Sequence, residues 1–318
     1  MIEKSEFKPP WYLKNPHLQT LLANLIKPAL PVVQRETLAL DDGDCLSLAH
    51  GTGVGNRRVL VLHGLEGSLQ SAYARRVMHY FNAQSIPATL MFFRGCDGQP
   101  NRLARSYHSG DTGDLRQVIA HLERGGVERL ALLGYSLGGN VTLKYLGEGP
   151  VDPLVACAVA VSVPLNLDIC AKRMDRGFSR IYQRELLTRL RSKVAQKSQL
   201  LADAGIDPAT RTRNFVEFDG AFTAPLHGYA SAMDYYRRCS SRQFLRGIDR
   251  PTLMLHARDD PFMTERVIPN ADELSDSIRF ELSAHGGHVG FIEKGWLRQQ
   301  NWLEPRIHRW LQAQQMAQ

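Results

Sequence analysis

One serine, two aspartates and two histidines fall along this chain in the order that serine-based acyl chemistry requires. Ser136 lies in Gly134-Tyr135-Ser136-Leu137-Gly138, directly after the apolar run Leu130-Ala131-Leu132-Leu133. A buried strand that enters Gly-x-Ser-x-Gly and leaves as a helix must turn sharply. The turn strains the serine backbone, leaves no room for side chains at the two glycines, and holds the hydroxyl out at the carboxyl end of a sheet. Such a hydroxyl attacks acyl carbonyls once a base removes its proton. The pentapeptide also recurs by accident, so an oxyanion site, an acid and a base must accompany it.

Each has a candidate. Arg57-Arg58-Val59-Leu60-Val61-Leu62 reads as a strand and runs into His63-Gly64-Leu65-Glu66-Gly67-Ser68. A loop there suits delivery of the Leu65 N–H to an oxyanion, beside the N–H of Leu137 next to the nucleophile. Taken alone it could equally be a Gly-rich strand-to-helix turn. Thr252 to His256 reads as a later buried strand, ending in Ala257-Arg258-Asp259-Asp260-Pro261-Phe262. The acid of such a site sits in the turn after a late strand. Asp260, three positions beyond the small Ala257, is favoured over Asp259, which suits a turn cap. Ile278 to Leu282 alternates like a last strand and leads to His285-Gly286-Gly287-His288. His288 is preferred as the base because Gly-His is usual at this point; His285 suits a supporting place in the loop.

With those residues in hand, the chain resembles the YheT-like branch of the α/β-hydrolases, related to the mammalian abhydrolase-domain proteins. The matching stretches include Asn15-Pro16-His17-Leu18-Gln19-Thr20-Leu21, His63 to Ser68, Phe93-Arg94-Gly95-Cys96 and Ser106-Tyr107-His108-Ser109-Gly110. Gly134 to Asn140, Gly177-Phe178-Ser179-Arg180, Ala224-Pro225-Leu226-His227-Gly228-Tyr229, Asp234-Tyr235-Tyr236, Asp259 to Phe262 and His285 to Phe291 extend it along almost the whole chain. The resemblance implies an esterase or acylglycerol lipase acting on a small ester or lipid, with no fixed physiological substrate. Acyl transfer on the same residues, or a lipid-binding protein that kept the fold, are the alternatives. No metal or organic cofactor is required, and Gly-x-Gly-x-x-Gly is absent.

Composition narrows the setting. Five widely spaced cysteines, Cys45, Cys96, Cys157, Cys170 and Cys239, form no C-x-x-C or ligand pattern, which suits reduced thiols in the cytoplasm. The first ten residues lack an apolar signal core. The stretch Leu154 to Leu165 is too short to span a bilayer. The net charge of +7 comes entirely from residues 172–198, where nine basic residues face Asp175 and Glu185. Those nine are Lys172, Arg173, Arg176, Arg180, Arg184, Arg189, Arg191, Lys193 and Lys197. They suit either a solvated helix face or peripheral contact with an anionic membrane. No motif supports nucleic-acid binding.

The elements that must position these residues follow from hydropathy. Strands are expected near 59–62, 88–93, 129–133, 155–162, 252–256 and 278–282. Helices are expected near 71–84, 112–124, 137–147, 264–275 and 302–315. Continuous apolar strands alternating with helices mean an α/β fold with a mostly parallel sheet covered on both faces. Glu36 to Leu40 and Cys45 to Ala49 read as a hairpin about Asp42-Gly43. Residues 1–30 wrap the body or border the site. The alternation breaks after Pro164, so residues 166–245 are expected to form a helical cap inserted into a core of 1–165 and 246–318. In it Met174, Phe178, Tyr182, Leu186, Leu187 and Leu190 recur at helical spacing, to pack the cap on the body or to line an acyl pocket.

Overall fold

The computed structural model describes residues 1–294 and 300–317. Its centre is a nine-stranded sheet. In chain order the strands are β1 (Ile2–Lys4), β2 (Gln34–Ala39), β3 (Cys45–His50), β4 (Arg57–Leu62), β5 (Ala88–Met91), β6 (Arg129–Tyr135), β7 (Val155–Val161), β8 (Thr252–Ala257) and β9 (Ile278–Ser283). Their spatial order is β1-β9-β8-β7-β6-β4-β5-β3-β2. In that order all neighbours from β1 to β5 run parallel; the β2/β3 hairpin is antiparallel, and β3 joins it antiparallel to β5. A small ribbon pairs β10 (Ile292–Lys294) with β11 (Gln300–Asn301).

The central strands β4 to β8 are mostly apolar because both faces of the sheet are covered there. Leu60, Leu62, Leu130 and Leu132 enter one core, and Val59, Val61, Ala131 and Leu133 the other, as the two-residue repeat of a strand dictates. Burying each leucine contributes roughly 1.5–3 kcal/mol. Helices α1 (Pro16–Leu25), α2 (Ala72–Ala83), α3 (Thr112–Arg124) and α4 (Leu137–Gly147) lie before or between the strands. In α2 the buried Ala74, Val77, Met78 and Phe81 form one stripe at helical spacing. Parallel strands bring the carboxyl ends of β4, β6, β8 and β9 to one edge of the sheet, where loops converge on a site.

Between β7 and β8 every described element is helical: α5 (Leu167–Met174), α6 (Ser179–Gln196), α7 (Ser198–Asp203), α8 (Phe215–Phe218), α9 (Ala224–Leu226) and α10 (Ala232–Cys239). A π-helical turn, Asp219–Thr223, joins α8 to α9. These helices hold two small apolar clusters of their own, one around Leu187, Phe218 and Phe222 and one around Leu167, Tyr235 and Tyr236. The chain then returns to the sheet and ends in α11 (Leu303–Ala313). Among the described residues no helix is long and apolar enough to cross a membrane.

Two expectations need correction. The helix expected over 264–275 is instead two short 3-10 turns, Glu265–Val267 and Ala271–Glu273. Pro269 cannot donate in a helix and drives Ile268 into extended backbone (ψ 123), and Asn270 then starts a new capped turn. The basic stretch 172–198 is not one solvated face. Lys197 is buried and Lys193 turns inward, whereas Arg176, Arg180, Arg184 and Arg189 are exposed.

Candidate active site

Ser136 stands between β6 and α4 with φ 51 and ψ −117, a conformation that costs of order 1–3 kcal/mol and needs its surroundings to hold it. Its N–H donates to the Val161 carbonyl of β7, and its carbonyl accepts from Asn140 in the first turn of α4. The flanking glycines have no room for side chains. A Cβ at Gly134 would lie 2.4 Å from the Gly138 carbonyl oxygen, and one at Gly138 the same distance from that of Leu62.

Asp260 and His288 meet Ser136 from two further strand ends. His288 Nε2 is 3.0 Å from Ser136 Oγ, and Nδ1 is 2.8 Å from Asp260 Oδ2. The carboxylate can only accept, so Nδ1 carries the proton and Nε2 keeps its lone pair toward the serine hydroxyl. The second Asp260 oxygen accepts the Phe262 N–H, and the Phe262 ring lies flat on the imidazole at 3.9 Å. The neighbouring pair forms a separate contact. Asp259 sits 3.3 Å from His285 and accepts the Gly287 N–H, so it braces the loop that carries His288. Burial raises the Asp259 pKa. Neither Asp259 nor His285 hydrogen-bonds Ser136.

The Leu65 loop packs directly on the serine: a Cβ at Gly64 would lie 3.2 Å from Ser136 Cβ. The Gly64 carbonyl accepts from Gly67 N–H and from His63 Nδ1–H. His63 Nε2 accepts the Phe93 N–H, which fixes that tautomer, and burial pushes its pKa down to about 3. Since the peptide is trans, the Leu65 N–H points away from this pinned carbonyl. Among the described residues the Leu65 and Leu137 N–H groups have no protein acceptor. Two amides left open beside one hydroxyl are what an oxyanion needs.

Several contributors escape a reading of the sequence. Thr20 of α1 accepts the His288 N–H, and Ser162 accepts that of Val289. Tyr73 accepts the Gly64 N–H and Tyr107 the Glu66 N–H. The N-terminal segment thus borders the site, and β1 extends the sheet beside β9. Tyr107 and Thr20 fall inside stretches quoted above, the only signal that pointed to them.

A cavity with about 1190 Å³ of empty space, open solvent at its mouth included, reaches Ser136 and His288. Leu167, Met174, Leu186, Leu190 and Phe218 make its apolar wall, and His108, His227 and Asp219 a polar end. Burial pushes His108 to about 3 and His227 to about 2, so both rings are neutral at pH 7. Burial pushes Asp219 up to about 6, where it accepts from the Thr223 and Tyr236 hydroxyls. Met174 ends α5 while the other residues expected at helical spacing lie at or within α6. Of these Leu186 and Leu190 line the cavity, Leu187 packs on Phe218 and Phe222, Tyr182 packs at a tilt on Phe262, and Phe178 is exposed.

Residues 57–295 match the model of the alpha/beta hydrolase fold family. The chain belongs to the α/β-hydrolases, in their YheT-like branch. This hydrolase is 43% identical to YheT of Escherichia coli (strain K12), provisionally named an esterase, over 96% of this chain and 93% of that one. It is 30% identical to phospholipase ABHD3 of Mus musculus over 93% of this chain and 75% of that one. Its fold is similar to that of the Pyrococcus furiosus esterase Pf2001, with a TM-score of 0.59 and 16% identity over 98% of this chain and 99% of that one. The hydrolase is of the esterase and lipase type.

Proposed function

We propose that this hydrolase cleaves carboxylic esters through a Ser136–His288–Asp260 triad. His288 Nε2 takes the hydroxyl proton as Ser136 Oγ attacks the ester carbonyl carbon. The oxyanion of the tetrahedral intermediate accepts hydrogen bonds from the Leu65 and Leu137 amides, each of them worth about 3–4 kcal/mol of barrier. His288 returns the proton to the departing alcohol, leaving an acyl-serine. Water, deprotonated by the same nitrogen, attacks that ester; the acid leaves and Ser136 regains its proton. Asp260 keeps the imidazole in its tautomer and balances the charge it gains.

The observation that carries this reading is the hydrogen-bonded line from Asp260 to Ser136, opening on a cavity with two free amides at its head. The helical segment 166–245 serves as the cap, and its apolar wall suits the acyl chain of a short- to medium-chain ester or a monoacylglycerol-type lipid. The compartment we infer is the cytoplasm, from five free thiols. The exposed Arg176, Arg180 and Arg184 give the cap its peripheral contact with anionic membrane. The test is a turnover panel of p-nitrophenyl esters of rising chain length beside mono-, di- and triacylglycerols. Hydrolysis favouring medium acyl chains is expected. An enzyme inert on every ester in the panel would sink the reading.

A further inference from the structure

One ion pair crosses from α6 to the Leu65 loop, a single residue away from a proposed oxyanion donor. Lys193, near the end of α6, places Nζ 2.8 Å from Glu66 Oε1 and 2.9 Å from Cys96 Sγ. Glu66 has φ 53, a left-handed conformation that side chains rarely adopt unless held. Three hydrogen bonds hold it. Its N–H donates to Tyr107 Oη, the Tyr107 hydroxyl donates to Oε1, and the Lys193 ammonium donates to that same oxygen. The ammonium also lies 5.3 Å above the Tyr107 ring. The Glu66 side chain is 4% exposed. Burial works against the charge on Lys193, but Cys96 and Glu66 outweigh it and raise its pKa.

One turn further on, Lys197 fastens the same end of α6. Its ammonium reaches Asn101 Oδ1, the carbonyls of Leu103, Ala104 and Arg105, and Ser106 Oγ, all within 3.1 Å. The helix end is therefore fixed when Lys193 arrives at Glu66. On the other side of Leu65, His63 and Gly67 pin the Gly64 carbonyl. Leu65 is thus clamped between a peptide held by the core and a glutamate held by α6. A displacement of about 1 Å in such a group can cost about a hundredfold in rate.

We propose that Lys193 is a positioning residue: through Glu66 it ties α6 to the Leu65 loop, so that the Leu65 amide is aligned for the oxyanion only while α6 is seated over the cavity. Lifting the helix would then switch off the chemistry as it opens the cavity. The proposal rests on the reading of Leu65 as an oxyanion donor.

Lys193→Met and Glu66→Leu, singly and together in the full chain, test it. The readouts are kcat and KM for p-nitrophenyl butyrate, thermal unfolding, and Ki for an alkyl trifluoromethyl ketone. Ser136 Oγ adds to that ketone's carbonyl carbon, passing its proton to His288 and leaving an oxyanion where the transition state has one. In folded variants kcat should fall about 30-fold, Ki should rise by the same factor, and KM should stay within about twofold. The double variant should be no worse than the worse single one, because both cut one link. Glu66→Leu removes both acceptor oxygens at similar size and decides the matter if Lys193→Met does not fold. Unchanged kcat and Ki in a folded variant would overturn the proposal. So would a raised KM with kcat unchanged, since Lys193 would then be touching substrate. A ketone that fails to inhibit the wild type strikes the reading of Ser136 and Leu65 instead, and the link falls with it.

Discussion

The loops at the sheet edge and the helices above them are built differently. Ser136, Leu65, Asp260 and His288 sit on short turns whose backbone groups are held by neighbouring strands and by α1: Val161, Ser162 and Thr20 each take an N–H from a turn that carries or flanks them. The helices between β7 and β8 carry two small clusters of their own and meet the body through side chains, among them Lys193, Lys197, the Ser179 hydroxyl on the Pro261 carbonyl and the Tyr182 ring against Phe262. A rigid edge can hold reacting atoms to fractions of an ångström, as preorganised catalysis demands. A roof of helices along the cavity can shape what reaches Ser136. Substitutions at the edge should therefore act on turnover, and those in the roof on what binds and where, except at Lys193, which reaches down to the Leu65 loop.

The largest contrast lies within the edge itself. Asp260→Asn should lower kcat about ten-thousandfold, because an amide favours the wrong imidazole tautomer while keeping its place. Asp259→Asn should cost less than about tenfold, since Asp259 only braces the loop. His288→Ala and His285→Ala should divide the same way. Steady-state kinetics on one soluble ester measure all four. A more damaging Asp259→Asn would exchange the roles of the two pairs.

Acid should expose a second contrast. Burial pushes His63 and His108 to about 3, His227 to about 2 and His256 to about 4. Between those values and 6.5 the unfolded chain binds protons that the folded chain refuses, so stability falls as pH drops from about 6.5. Asp219, pushed up to about 6, works the other way: the folded chain holds its proton between 3.8 and 6. At pH 5 these five groups together predict a net uptake of about three protons on unfolding, each adding about 1.4 kcal/mol per pH unit to the slope. Asp219→Asn should steepen the slope by about one proton. Denaturant titrations between pH 5 and 6.5 measure it; a slope that flattens in the variant would contradict the assignment.

The smallest effect on turnover belongs to the outer arginines. Replacing Arg176, Arg180 and Arg184 by glutamine should change hydrolysis of a soluble ester by less than about twofold. Binding to phosphatidylserine vesicles at low salt should weaken by up to about fivefold for each arginine removed, and added salt should erase the difference. Co-sedimentation that is equal for both proteins would leave these arginines as a solvated face.

Much of the edge was legible in the sequence because it depends on local patterns. Continuous apolar strands, the glycines around Ser136 and the offset from Ala257 to Asp260 are all read within a few residues. What was not legible depends on contacts between distant segments. Nothing around Thr20 or Tyr73 announces that one hydroxyl steadies the His288 loop and the other the Gly64 turn. Charge counts marked residues 172–198 but could not tell that Lys193 and Lys197 turn their long stems inward, while Arg176 and Arg180 stay in water. The helix expected over 264–275 failed on a local signal, Pro269, that the apolar spacing obscured.

The most direct test of the account is where a serine-directed reagent lands. A fluorophosphonate probe, which loses fluoride as it phosphonylates an activated serine, should label the wild type once, with peptide mapping to Ser136. Ser136→Ala should fold normally, take up no label and lose about six orders of magnitude in kcat. Labelling at another residue, or undiminished hydrolysis by the folded Ser136→Ala variant, would contradict the central claim.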